Sequence, residues 1–271
     1  MERAGRYRLE RVLGEGATGL VYEATDDAGI RVAVKLLRPE YADDRVAHAR
    51  FLREARLARG LPTRHVVPIV ELGESDGLTY LVMPFYPGGS LAQQLRARGR
   101  LDLAETTELA AQLGRGLDAL HDRGILHRDV KPSNVLLDAG GSAALADFGL
   151  ARAADSTRLT AVGQLLGTPH YLAPELIEGG EATRASDLYA LGCLLYECVV
   201  GDPPFVARSP AEVGFAHLVE PAPDPRERRP ELSRHVSSAL RTALAKDPTD
   251  RPTTGTALAR MLHFARSAPP P

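Results

Sequence analysis

Tryptophan is absent from this 271-residue chain, cysteine occurs twice, and only three of the 33 basic residues are lysines. Cys193 and Cys198 lie in one apolar stretch that reads as a buried helix. Five residues apart, they point to different faces of it, which excludes a bridge between them. Without a CxxC pair or a His/Cys cluster there is no zinc signature, and a reducing compartment fits. Excess charge of one sign is missing too. The formal net charge is −2, so no strong field draws nucleic acid or an anionic membrane, and nucleic acid is not expected as a partner. The longest apolar run, residues 188–200, contains Glu197 and is too short to cross a bilayer, so no membrane segment is expected in this chain. Residues 1–11 are charged throughout, unlike a signal peptide, and a cytoplasmic location is the expectation.

What remains is an ordinary globular composition, 44% hydrophobic and 25% charged, at a length that favours two packed sub-domains. The scarcity of lysine is informative. Surface cations here are written as arginine, so Lys35, Lys131 and Lys246 each call for a reason beyond bulk charge.

The first third of the chain is strand-rich. Short alternating or apolar runs at 7–13, 20–25 and 31–36 are separated by glycine-containing turns, and further strands are predicted at 67–72 and 79–83. A helix over 44–60 carries Val46, Phe51, Ala55 and Ala58 on one stripe. The expectation is a five-stranded sheet with one main helix. Residues 84–89 punctuate the chain, and Ser90 is a candidate cap for the next helix. Helices are then predicted over 104–123, 186–200, 211–219, 236–245 and 254–266, around an irregular stretch at 124–184. Structureless segments of that length inside a compact domain are usually functional.

Gly14-x-Gly16-x-x-Gly19-x-Val21 falls between two strands. Such a turn lets backbone approach phosphate oxygens, but by itself it is weak: a plain hairpin turn or a dinucleotide-binding turn competes. The latter needs a helix after the glycines, and here a strand follows. Val32-Ala33-Val34-Lys35 ends a strand on a lysine among apolar neighbours, where a buried ammonium must be paired; phosphates on one side and Glu54 on the other would satisfy it. His127-Arg128-Asp129-Val130-Lys131-Pro132-Ser133-Asn134 brings a carboxylate, a lysine and an amide into one loop, suited to a hydroxyl, a phosphate and a metal. Asp147-Phe148-Gly149 adds the hard carboxylate oxygen that magnesium prefers.

With Ala173-Pro174-Glu175 in place as well, the ordered set resembles the eukaryotic-type (Hanks-type) serine/threonine protein kinase catalytic domain, over residues 7–264. The resemblance implies an α+β, bilobal protein kinase fold. Its antiparallel N-lobe would occupy 1–83, a hinge 84–89 and a mostly helical C-lobe 90–266, with a proline-rich linker beginning at 267–271. It implies ATP and magnesium, or manganese, as cofactors, and protein substrates as partners. Gly14, Gly16 and Gly19 would cover the phosphates, and Lys35, paired with Glu54, would hold two of them. Asp129 would take the hydroxyl proton, Lys131 would steady the moving phosphoryl group, and Asn134 and Asp147 would bind the metal. Adenine would lie between Val21 and Ala33 on one side and Leu136 on the other, its polar edge on Met83, Pro84 and Tyr86. Pro84 departs from the commoner acidic residue there but still offers a carbonyl.

The string Asp-Val-Lys-Pro-Ser-Asn and residues 167–175 resemble the serine/threonine branch, with Thr168 expected against the catalytic aspartate. Asp187 resembles the aspartate that braces the catalytic loop, Arg251 the partner of Glu175, and Phe148 and His127 members of a packed column. Arg128 before the catalytic aspartate implies switching by phosphorylation, with Thr160 first and Thr157 second as candidates and Ser156 nearby. A scaffold pseudokinase would have lost Lys35, Asp129 or Asp147, and none is missing. A small-molecule phosphotransferase would lack residues 167–175, and a dinucleotide oxidoreductase fails on element order. The arginine and alanine bias resembles bacterial members of the family. Homodimerisation and a place as the cytosolic part of a longer, membrane-anchored protein are the remaining expectations.

Overall fold

The computed structural model describes residues 3–16, 19–38, 52, 53, 55, 59–148 and 169–267. Its amino-terminal part is an antiparallel sheet of β1 (Arg3–Ala4), β2 (Tyr7–Gly16), β3 (Gly19–Thr25), β4 (Arg31–Leu37), β5 (Glu71–Ser75) and β6 (Leu78–Pro84), in the order β1-β2-β3-β4-β6-β5. The sixth strand, β1, adds only two residues to the expected five, too few to show a periodicity. The expected helix over 44–60 lies mostly outside the described residues.

Strand alternation sets what faces what. In β4, Val32, Val34 and Leu36 join Tyr7, Ala24, Tyr80 and Val82 in a small cluster on one face. Ala33 and Leu37 face the other way into the main core, and Lys35 shares their face.

The strand expected at 67–72 begins later, at Glu71. Its first residues are taken by another partner: Leu145 N–H donates to the His65 carbonyl at 2.9 Å, and Val67 N–H donates to the Leu145 carbonyl at 2.8 Å. This segment thereby ties the sheet to the hairpin of β7 (Val135–Leu137) and β8 (Ala143–Leu145).

The rest is helical: α1 (Leu91–Arg98), α2 (Leu103–His121), α3 (Pro174–Ile177), α4 (Arg184–Val200), α5 (Pro210–Val219), α6 (Arg234–Ala243) and α7 (Gly255–Ser267). Ser90 caps α1 as expected, in a reciprocal capping box with Gln93. Helix α4 is apolar on nearly all sides and forms the centre of the core. Thr183 and Ser186 cap its start, and Gly201, at φ 103°, ends it in a conformation that favours glycine. Cys193 and Cys198 are buried in it as free thiols, their pKa values pushed up by burial. Helices α2 and α7 cross at Gly114 and Gly255, where a Cβ on Gly114 would fall 2.5 Å from the Gly255 carbonyl oxygen. Among the described residues no helix is long and apolar enough to cross a membrane.

Candidate active site

The loop between α2 and β7 is held in a conformation its residues would not choose. Arg128 sits at φ 64°, a region costly for a side-chain-bearing residue. Asp187, at the start of α4, explains how it persists. Its carboxylate accepts the backbone N–H of His127 at 2.8 Å and of Arg128 at 2.7 Å, and also contacts His121 Nε2 at 2.8 Å. The sequence reading placed Asp187 correctly but missed His121. A histidine closing an amphipathic helix carries no signal of its own, and only packing puts it against Asp187.

From this anchored turn Asp129, Lys131 and Asn134 converge. Lys131 Nζ lies 2.8 Å from Asp129 Oδ2, and Asn134 Nδ2 donates to the Asp129 side chain and carbonyl at 2.8 Å each. Burial works against the charge on Asp129, but Lys131 and the Asn134 amide outweigh it and hold its pKa below the usual carboxylate value. His127 is fully buried, its ring edge-on to Phe148 at 6.5 Å, and burial lowers its pKa, so the ring is neutral. Asp129 N–H donates to His127 Nδ1 at 3.3 Å, which leaves the proton on Nε2, a buried atom with no hydrogen-bond partner among the described residues.

Asp147 follows β8 and also has a positive φ, 56°. The Ala146 N–H bond to the Asn134 carbonyl, 2.8 Å, sets it beside Asn134. Lys35 reaches it from β4: the buried ammonium lies 2.6 Å from Asp147 Oδ1. Among the described residues the partner of Lys35 is Asp147. Glu54, expected as its pair, lies outside the described residues, as do Gly149, Ser156, Thr157, Thr160 and Thr168.

The donor set suits a hard cation. Asn134 commits its amide nitrogen to Asp129, which leaves Oδ1, among the described residues, with a long contact from the Ser133 hydroxyl, 3.5 Å. One amide oxygen, one carboxylate and substrate phosphates are the ligands magnesium takes. Among the described residues no cluster of three His, Cys, Asp or Glu offers a self-sufficient metal site. Val21, Tyr86 and Leu136 are half-buried against the core that contains Ala33 and Met83, and Pro84 pairs with Val32 at the end of β6.

The three glycines differ. A Cβ on Gly14 would meet open space and one on Gly16 only an ordinary 3.8 Å contact with the Gly19 carbonyl oxygen, but a Cβ on Gly19 would lie 1.9 Å from the Leu36 carbonyl oxygen. Gly19 therefore serves the approach of β3 to β4, whatever else it does.

Arg251 and Glu175 form the expected pair, with two contacts of 2.8 Å. The family model for the protein kinase domain matches residues 7–262. The chain belongs to the protein kinase family. This kinase domain is 43% identical over 249 residues to the serine/threonine-protein kinase PknD of Mycobacterium tuberculosis, covering 91% of this chain and 38% of PknD. It is 40% identical over 266 residues to PknH of Mycobacterium bovis, covering 98% of this chain and 45% of PknH. The crystal structure of the Mycobacterium tuberculosis PknI kinase domain superimposes with a TM-score of 0.76 at 30% identity, covering 97% of each chain. The kinase domain thus spans less than half the length of the two curated relatives, PknD and PknH. The bilobal α+β architecture and the bacterial Hanks-type assignment follow from these matches.

The third lysine also has a site. Lys246 Nζ donates to the carbonyls of His217 at 2.6 Å and Ala216 at 3.3 Å near the end of α5, and lies 4.5 Å from the centre of the Phe205 ring. Sequence reasoning marked it as unusual but gave it no role.

Proposed function

We propose that this kinase domain transfers the γ-phosphoryl group of ATP to serine and threonine hydroxyls of proteins. The observation that carries the reading is the convergence of Asp129, Lys131 and Asn134 within hydrogen-bond reach of one another, beside the Lys35–Asp147 pair. Such chemistry works by positioning and charge stabilisation, and fixed charges from opposite sides of the fold meet here.

In this reading residues 1–83 bind ATP, 84–89 form the hinge and 90–266 carry catalysis and substrate binding. Val21, Ala33 and Leu136 enclose adenine, Met83, Pro84 and Tyr86 meet its edge, and Gly14, Gly16 and Gly19 cover the phosphates. Lys35 holds the α- and β-phosphates, with Glu54 as its second partner. Asp129, ionised at neutral pH because its pKa is held low, orients the substrate hydroxyl and accepts its proton as the new O–P bond forms and ADP leaves. Lys131 offsets charge on the transferring group. Magnesium, or manganese in its stead, held by Asn134 and Asp147, would neutralise charge on the phosphate oxygens.

The choice of serine and threonine rests on the string 129–134, on residues 167–175, and on the names of PknD and PknH. We extend the reading to autophosphorylation at Thr160 or Thr157, read out by Arg128, to a homodimer, and to a cytoplasmic location, either free or as the cytosolic part of a longer anchored protein.

Intact mass after phosphatase treatment and incubation with Mg-ATP tests this directly. Increments of one or more phosphates in the wild type but not in Asp129→Asn are expected, with Thr160 or Thr157 found by peptide mapping. No transfer to the chain itself or to a generic protein substrate would refute it.

A further inference from the structure

Glu23 is a nearly buried carboxylate in the middle of β3, its side chain 7% exposed, and the kinase reading above gives it no task. A lone carboxylate there would be costly, and two arginines answer it: Arg11 Nη2 at 2.6 Å from β2 and Arg31 Nη2 at 2.7 Å from β4. The two are not equivalent. Among the described residues Glu23 Oε2, the oxygen nearest Arg11, makes no aligned hydrogen bond, and Arg11 shows no contact beyond Glu23. Arg31 continues, its guanidinium lying over the ring of Phe85 at 4.1 Å from the centroid.

The place of this contact gives it meaning. Glu23 is two residues along β3 from Val21 and is the cross-strand partner of Ala33, so it shares their face of the sheet. Arg31 opens β4, and the last pair between β4 and β6 is Val32 with Pro84. Proline brings no N–H to that pair, so the ladder ends weakly where the chain leaves the sheet for residues 85–89. The Arg31–Phe85 stack fastens the chain one residue beyond the ladder.

We infer that Glu23 and Arg31 are positioning residues for the nucleotide: Glu23 aims Arg31 onto Phe85, and the stack holds the linker backbone where the adenine edge is met. This rests on the proposed ATP-binding role of residues 83–86. The chain runs carboxylate to guanidinium to ring, so loss of either Glu23 or Arg31 frees the linker, and loss of Arg11 does not.

Three variants test it: Glu23→Gln, Arg31→Gln and Arg11→Gln, with the Glu23→Gln/Arg31→Gln pair. Hydrogen–deuterium exchange of the peptide spanning 83–89 is measured without nucleotide, and the KM for ATP and kcat with it. Exchange at least about threefold faster in Glu23→Gln and Arg31→Gln is expected, with the KM for ATP raised about fivefold and kcat within twofold. The double variant should match the larger single, and Arg11→Gln should behave as wild type. Unchanged linker exchange in Arg31→Gln, an exposed site that leaves the fold intact, overturns the inference. So does an Arg11→Gln effect equal to that of Glu23→Gln, which would mean general loosening of the sheet. Faster exchange with an unchanged KM for ATP would refute the link to the nucleotide. A wild type that binds no ATP would instead refute the kinase reading, and the exchange comparison would still judge the stack.

Discussion

Arg251→Ala removes a guanidinium that is completely buried and uses all five of its N–H groups. Nε donates to the Ala245 carbonyl at 2.8 Å. Nη1 donates to Glu175 Oε1 at 2.8 Å and the Ala185 carbonyl at 3.0 Å, and Nη2 to Glu175 Oε2 at 2.8 Å and the Lys246 carbonyl at 2.9 Å. Alanine would leave a carboxylate and three carbonyls without these donors. Removing one partner of a buried pair costs about 3–5 kcal/mol, a large part of the ~5–15 kcal/mol that holds a domain folded. For a domain of this size that lowers Tm by roughly 10 °C, and circular dichroism melts or urea unfolding would read it. Glu175→Gln and the double variant complete a cycle in which the double loses less than the sum of the singles. Arg251→Lys should recover little, because one ammonium cannot serve acceptors placed for a planar fork. An Arg251→Ala melt within about 2 °C of wild type would refute the reasoning.

Asp187→Asn keeps the shape but halves the acceptor capacity that pins His127 and Arg128; we expect a loss of about 2 kcal/mol with a fall in kcat, and an unchanged melt and rate would contradict it. Gly19→Ala should destabilise the chain measurably, because its Cβ would meet the Leu36 carbonyl, whereas Gly14→Ala should leave the melt unchanged and act, if at all, on the KM for ATP. Asp129→Asn should lower kcat by about 10²–10⁴-fold with the melt retained, and parallel losses of rate and stability would point to a structural role. Burial lowers the pKa of Lys246 to about 8 from its ordinary 10.5, so between those values the unfolded chain binds the extra proton and folded stability rises with pH. Wild type measured against Lys246→Met should therefore gain stability from pH 8 to 10.5; parallel curves would show that Lys246 titrates normally.

The elements with strong local patterns were legible in the sequence. The carboxy-terminal helices fall within about two residues of their expected ends, and Ser90 caps α1 as its residue type suggests. The misses share a cause. Residue 67 reads as the start of a strand of the sheet because the apolar pattern of 67–72 is that of a strand, but its backbone partner is Leu145 of another sheet. β1 was invisible because two residues have no period. Gly19 belongs to the same motif as Gly14 and Gly16, yet its constraint comes from the Leu36 carbonyl.

Within one loop the sequence settled which groups meet. Asp129, Lys131 and Asn134 lie within five positions, and a tight turn leaves their side chains few other places to go. It settled the scarcity of lysine as well, and all three lysines have specific partners. Tertiary structure decided the rest: that Lys35 takes Asp147, 112 positions away; that His121 joins Asp187; and that a buried Glu23 aims Arg31 at Phe85. Composition marks such groups as needing a partner because a buried charge cannot stand alone. Which partner it finds depends on how strands and helices pack, and that is a property of the whole chain rather than of any stretch of it.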